Sequence, residues 1–290
     1  MIEHFAFCGK GGVGTSTVTA HVGAALAEAG FRVLHVGCTP AGENRGFLNN
    51  GRIPATVCDR IRDGGELTVE SVVGRGFGGL FSLELGSPLV GAGSAEELER
   101  AFQELEQAGL MAALAPELVL YDLSGEYGRT LLRSVRRHLP LVTAFVVTTA
   151  DFGALVGVNN LVTLLTDTHP EASLLLGGVI PNHVGNTFDE AFIRDFARST
   201  SLHPLTGIPT SLLVRQSELY AKSIFEVAPH STQSYFYRRL ANQIVDVAGE
   251  ASGRKSAVAL TTRELREWSK MWGERLHALE NGLVTDGAAI

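Results

Sequence analysis

One short stretch carries most of the chemistry that residue type and spacing reveal in this chain: Gly9-Lys10-Gly11-Gly12-Val13-Gly14-Thr15-Ser16-Thr17. Glycines at this density let consecutive backbone N–H groups converge on phosphate oxygens. A helix opening from Thr15 would add the positive end of its dipole. In the usual P-loop a lysine touches the outer phosphates and the next hydroxyl holds Mg²⁺. Here the lysine position is Thr15, the hydroxyl position is Ser16, and a lysine, Lys10, stands near the start of the loop. Lys10 also reads as a plain surface lysine in a glycine-rich turn. Cys8, Cys38 and Cys58 are an odd, widely spaced set with no CxxC pair, so they spell neither a disulfide framework nor a standard zinc site.

Such a loop needs a strand running into it and a helix leaving it, and the surrounding sequence supplies both. Residues 3–8 read as a buried strand and 15–29 as a helix that Gly30 ends; a second strand covers 31–36. Further strands are expected at 80–85, 117–123, 141–149 and 173–180, with helical patterns over 94–108, 151–167, 186–199 and 231–247. Near-continuous apolar strands alternating with amphipathic helices predict an α/β fold with a mostly parallel, doubly wound sheet. The composition shift at 248–260 reads as a linker, dividing the chain into a domain over 1–248, a linker over 249–260 and a helical tail over 261–290. Thr261 to Glu264 spells a capping box for that tail, whose stripe is Leu265, Trp268, Trp272, Leu276 and Leu279. The tail either docks on its own domain or binds a partner.

Composition narrows the function classes. The chain has 290 residues, 45% hydrophobic and 19% charged, with a formal net charge of −7. That acidic balance gives no electrostatic reason to expect nucleic acid or anionic lipid. No apolar run reaches the roughly 18 residues of a membrane span, and the N-terminus lacks a secretory signal pattern. A cytoplasmic protein is expected.

The motif set resembles the deviant P-loop of the dimeric ATPases that include the partition and septum-site proteins. More closely, it is similar to the nitrogenase iron protein family and its relatives in dark chlorophyll synthesis. The resemblance is carried by GKGGVG-x-ST, HVGCTPAGEN at 35–44, GFGGLFSLELGSP at 76–88, LYDLSGE at 120–126, VNN at 158–160, LGGVIPN at 176–182 and LTTRELREW in the tail. It implies a homodimer in which Lys10 reaches the partner's nucleotide, with Mg-ATP or Mg-ADP held along Gly9 to Thr17. Ser16 and Asp122 would hold Mg²⁺, and Asn182, otherwise a turn asparagine, would contact adenine. Thr39 and Glu43 fall on the first switch, Gly125 and Glu126 on the second.

The chain departs from that pattern where the family's chemistry resides. The positions matching the two cluster cysteines are Ser94 and Arg129. A hydroxyl is a poor iron–sulfur ligand, and a guanidinium has no lone pair to offer. Ser94 reads instead as an N-cap, with Glu97 closing a capping box. Arg129 is read either as solvated or as paired with Glu96 or Glu97 at a dimer axis. Thr39 replaces a switch aspartate, and Thr210 and Ser211 replace a charged pair beside the base. A lysine about 3 Å from a phosphate contributes several kcal/mol before desolvation, much of it on developing charge, so its loss slows chemistry more than binding. The expectation is a cluster-free, non-catalytic subunit partnering a nitrogenase-like reductase component or a true iron protein. The alternatives are a slow Mg-ATPase switch using Lys10 and Asp122, and a metal or cofactor carrier using Cys8 or Cys38.

Overall fold

The computed structural model describes residues 2–38, 54–86, 94–123, 142–166, 174–249 and 256–282. In chain order these form β1 (Glu3–Gly9), α1 (Thr15–Glu28), β2 (Val33–Gly37), α2 (Val57–Arg62), α3 (Val69–Val72), β3 (Val73–Arg75), β4 (Phe81–Glu84), α4 (Ser94–Gln107) and α5 (Leu110–Leu114). They continue with β5 (Leu118–Leu123), β6 (Val142–Thr148), α6 (Phe152–Thr166), β7 (Leu174–Val184), α7 (Thr187–Ser199), β8 (Ile208–Pro209), α8 (Leu212–Leu219), α9 (Ile224–Val227), α10 (Thr232–Gly249) and α11 (Thr262–Glu280).

The strands lie in the order β3-β4-β2-β5-β1-β6-β7-β8, antiparallel at the β3–β4 edge and parallel elsewhere. This is the doubly wound sheet that the apolar runs predict. Alternation along each strand shows why both faces are covered. Phe5 and Phe7 of β1, with Leu118 and Leu120 of β5, face the core under α1 and α10. Their neighbours Ala6, Cys8, Val119 and Tyr121 face a second core that includes Phe102 and Leu105 of α4. β3 and β8, which the sequence reading misses, have three and two residues, too few for any periodicity to register.

A third core joins α6 and α7 to α11. The capping box at Thr261 and Glu264 is present, with the Thr261 amide and hydroxyl both donating to Glu264. Trp268 and Trp272 are buried and pack around Phe188 and Phe192, and both indoles donate to one oxygen of Asp195, at 2.9 and 2.8 Å. Leu276 departs from the expected stripe, being 40% exposed. Asn159, inside the VNN motif, exchanges two hydrogen bonds with the backbone of Leu260 and so ties the chain before α11 to α6. No helix among the described residues is long and apolar enough to cross a membrane.

Candidate functional site

The glycine loop sits where β1 ends, at the carboxyl edge of the parallel sheet, where open α/β sheets bind ligands. Gly14 is the N-cap of α1 and adopts a left-handed conformation, φ 85° and ψ 27°. A side chain there would be strained, and its Cβ would collide with the Asn182 amide. Gly12, at φ 88°, turns the loop in the same sense. Lys10 accepts from the Val13 amide through its carbonyl at 3.3 Å, and the helix begins with Val18 donating to Gly14 at 3.0 Å. Gly9, Lys10, Gly11, Gly12, Val13, Gly14, Thr15, Ser16 and Thr17 therefore form the predicted strand–turn–helix, which ends at the N-terminus of α1.

Thr15 is 3% exposed, and its hydroxyl lies over Gly9 with no hydrogen-bond partner among the described residues. A buried unsatisfied hydroxyl costs about 1–3 kcal/mol, so the fold tolerates a polar group here that no described residue answers. Ser16 is half-buried at the first turn of α1. Asp122 is fully buried near the end of β5, paired in register with Phe7 on β1, so its carboxylate stands at the same sheet edge as the loop.

Lys10 is exposed, and its stem lies along α6 of its own protomer. A Cβ at Gly157 would come 3.3 Å from Lys10 Cβ, and one at Gly153 would come 2.9 Å from the ammonium. Two glycines one turn apart thus leave room for this side chain.

Asn182 is buried on β7, and its amide donates to the Val13 carbonyl at 2.8 Å, clamping the loop from the neighbouring element. It also borders a cavity of about 170 Å³ lined by Thr17, Thr210, Ser211, Arg215, Glu218, Gln233 and Tyr237 among others. Ser211 caps α8 by accepting from Leu213, so its hydroxyl is in structural use. Thr17 donates to Glu218 at 2.6 Å, and Gln233 donates to the Pro209 carbonyl. Burial and the Glu218 carboxylate push the Tyr237 phenol up, so it stays protonated. His21 stacks on Tyr237 with centroids 4.6 Å apart, and burial lowers its pKa to about 4 despite the Thr17 carbonyl at 2.8 Å. Glu218, Gln233 and Tyr237 are missed by the sequence reading. Gln233 and Tyr237 are four residues apart on a helix it does place, a spacing that puts them on one face; nothing in the sequence says which face meets the loop.

A sequence profile described as 4Fe-4S iron sulfur cluster binding proteins, NifH/frxC family, matches residues 3–267. The chain belongs to the NifH/frxC family. It is 34% identical to nitrogenase iron protein 2 of Paenibacillus durus over 294 aligned positions, covering 99% of this chain and 98% of that one. It is 31% identical to the nitrogenase iron protein of Methanococcus voltae, covering 84% and 89%. In fold it resembles the septum site-determining protein MinD complexed with Mg-ADP from Pyrococcus horikoshii, with TM-score 0.64, 19% identity and coverage of 87% and 100%.

Membership in a P-loop ATPase family implies Mg-nucleotide binding, and the loop fits that group: gathered amides, an orphaned hydroxyl and a buried carboxylate share one sheet edge. Ser16 and Asp122 are the residues that would hold Mg²⁺. The cluster named in the family description would need thiolates. Burial, with the Asp122 charge second, pushes the Cys8 thiol up to about 12, and burial raises Cys38 well above the ordinary range. Burial raises Cys58 to about 11. All three are core thiols on one face of the sheet, and thiolates are what iron requires. Ser94 opens α4, though its side chain lies outside the described residues, as do Thr39, Glu43, Gly125, Glu126 and Arg129. Glu97, expected to close a box on Ser94, accepts from Arg62 at 2.8 Å.

Proposed function

We propose that this NifH/frxC family member binds a Mg-nucleotide, holds no [4Fe–4S] cluster, and acts as a non-catalytic subunit. Its role would be structural or regulatory, as a homodimer partnering a nitrogenase-like reductase component or a true iron protein. The observation that carries this reading is donor chemistry. Ser94 and Arg129 stand at the matching cluster positions, and the only three cysteines in the chain are buried, protonated thiols in the core. Four thiolates at a dimer axis are needed for a bridged cluster; here the axis would carry two hydroxyls and two guanidinium groups. Glu96 is the counter-charge proposed for Arg129, because Glu97 already meets Arg62 within its own protomer. The tail over 261–290 is taken as docked through α11 on the domain over 1–248, and cytoplasmic location fits a chain of this composition.

Bound Mg²⁺ would neutralise phosphate charge, while the chain's own groups would bind and orient: loop amides would cradle the phosphates, Ser16 and Asp122 would hold the metal, and Asn182 holds the loop. With Thr15 in place of the loop lysine, no side chain of the loop follows the charge that develops on a transferring phosphate. Anaerobic reconstitution with iron and sulfide tests the reading. Expected is sub-stoichiometric iron and no reducible chromophore; a stoichiometric, redox-active centre shared between protomers overturns it.

The second reading, a slow Mg-ATPase switch, is favoured by the likeness to MinD and by Lys10 and Asp122 standing in place. Turnover with Mg-ATP decides between the two. A rate that Lys10→Ala and Asp122→Asn each abolish supports the switch; a near-zero rate unchanged by either supports the non-catalytic subunit. The carrier reading gains nothing from Cys8 and Cys38, which pack as small hydrophobes.

A further inference from the structure

Helix α8 packs one face inward and leaves the other in solvent. Leu213 and Val214 pack against the core under α1, and Ser217, fully buried, lies 3.4 Å from the His21 ring. Those three positions share one side of the helix, and Leu212, Arg215 and Leu219 fall on the opposite side at i, i+3 and i+7. Leu219 and Leu212 are 85% and 77% exposed, more than any other large hydrophobic among the described residues, and Tyr220 at the end of the helix is exposed too. Scattered exposed leucines are ordinary; two at the ends of one seam form a patch. The middle of the seam is charged. Arg215 is exposed, and Glu218 flanks the seam on the same side, giving one oxygen to the Thr17 hydroxyl at 2.6 Å. Read along the chain the order is base then acid, so a copy running the other way presents acid then base. Antiparallel about a two-fold axis, Leu212 meets Leu219 of the second copy at each end, and each Arg215 lies beside a Glu218 of the other. The axis keeps equivalent flanks on one side, so both ion pairs form together and the two guanidinium groups diverge from the centre. A parallel copy would set Arg215 against Arg215.

We propose that α8 is a self-association surface whose occupant is a second copy of this chain, docked antiparallel along the Leu212–Arg215–Leu219 seam in an isologous interface. This face is distinct from the axis proposed at Arg129. Helix α8 follows β8, the outermost strand of one sheet edge, whereas Ser94 follows β4 near the other edge. The inference depends on neither the nucleotide nor the cluster reading. Two leucines, a tyrosine and an ion pair per copy supply less than the roughly 800 Å² that a standard interface buries on each partner, so the association is weak and concentration-dependent.

Sedimentation equilibrium of the full-length protein at sub-millimolar concentration tests it. Wild-type protein should associate one step beyond Leu219→Lys, whatever the smaller unit is. Leu219→Lys should weaken that step by about tenfold or more, the loss expected for an anchor residue, with an unchanged melting temperature because the side chain it replaces is exposed. Arg215→Glu and Glu218→Arg each set like charges across the axis, so each variant alone should lose the step. Mixed in equal amounts the two variants present opposite charges at both pairs and should regain it, which a defect inside one chain would not allow. A short bismaleimide should join Gln216→Cys protomers through the middle of the interface and should not join Arg266→Cys protomers through α11. Wild-type protein that does not associate leaves the seam to a different protein and overturns the inference. Association that Leu219→Lys leaves intact assigns the contact to another face and overturns it as well. Charge variants that stay apart when mixed, or cross-linking as strong at Arg266→Cys as at Gln216→Cys, overturn the antiparallel register.

Discussion

The phosphate loop and the aromatic junction between α7 and α11 solve opposite problems with similar materials. At the junction the buried polar groups answer one another. Asp195 receives two indole N–H groups, Asn159 matches the backbone at Leu260 donor for acceptor, and four aromatic rings fill the space between the helices. At the loop, Gly12 and Gly14 hold left-handed backbone and Thr15 buries a hydroxyl with no partner among the described residues. One region gains stability from complementarity; the other forgoes some of it. Unused donors in a fixed frame are what a binding site requires before its ligand arrives.

Separating stability from affinity tests that contrast. Trp272→Ala should cost about 3–5 kcal/mol of unfolding free energy in urea, the range for emptying a buried aromatic site, while nucleotide affinity per folded molecule stays unchanged. Asp195→Ala should cost about 2–4 kcal/mol, because two buried indole donors lose their acceptor together. Near-UV circular dichroism of the tryptophans should weaken in the same variant. At the loop, Gly14→Ala meets both the positive φ and the Asn182 amide. It should lower nucleotide affinity by more than tenfold while costing about 1–3 kcal/mol of stability. A Gly14→Ala protein that binds nucleotide normally would dissolve the distinction between the two regions.

A smaller effect should appear with pH. Burial holds His21 and His35 at about 4, below their unfolded values near 6.5. The unfolded chain therefore binds more protons between those values, and stability is fully present above about 6.5 and is lost as pH falls toward 4. Both His35 ring nitrogens lack partners among the described residues. His35→Leu should accordingly flatten the fall in melting temperature over that window and raise the melting temperature at its acid end. An unchanged slope would mean that other groups set the acid limit.

How much of this was readable beforehand differs along the chain. The long strands and helices were legible because fully buried β-runs and 3.6-residue periodicity persist over enough residues to register. The two- and three-residue strands at Ile208–Pro209 and Val73–Arg75 were not, since pairing with a neighbour, rather than any local pattern, makes them strands. The loop was legible as a site because its glycines and hydroxyls are contiguous. Its surroundings were not: Glu218 meets Thr17 across 201 positions of sequence, and Asn182 reaches Val13 across 169. Asn182 illustrates the gap well, being expected at the base and found as the clamp on the loop.

The sequence alone determined the long strands and helices, the glycine-rich character of Gly9 to Thr17, and that Ser94 and Arg129 carry no sulfur, because covalent order fixes residue type and short-range backbone freedom. Only the tertiary structure decided which helix face closes the cavity beside Asn182, that the Thr15 hydroxyl has no partner among the described residues, and that Cys8 and Cys38 are buried core thiols. Those outcomes depend on burial and on groups brought together from distant positions, and desolvation has no magnitude until the chain has packed.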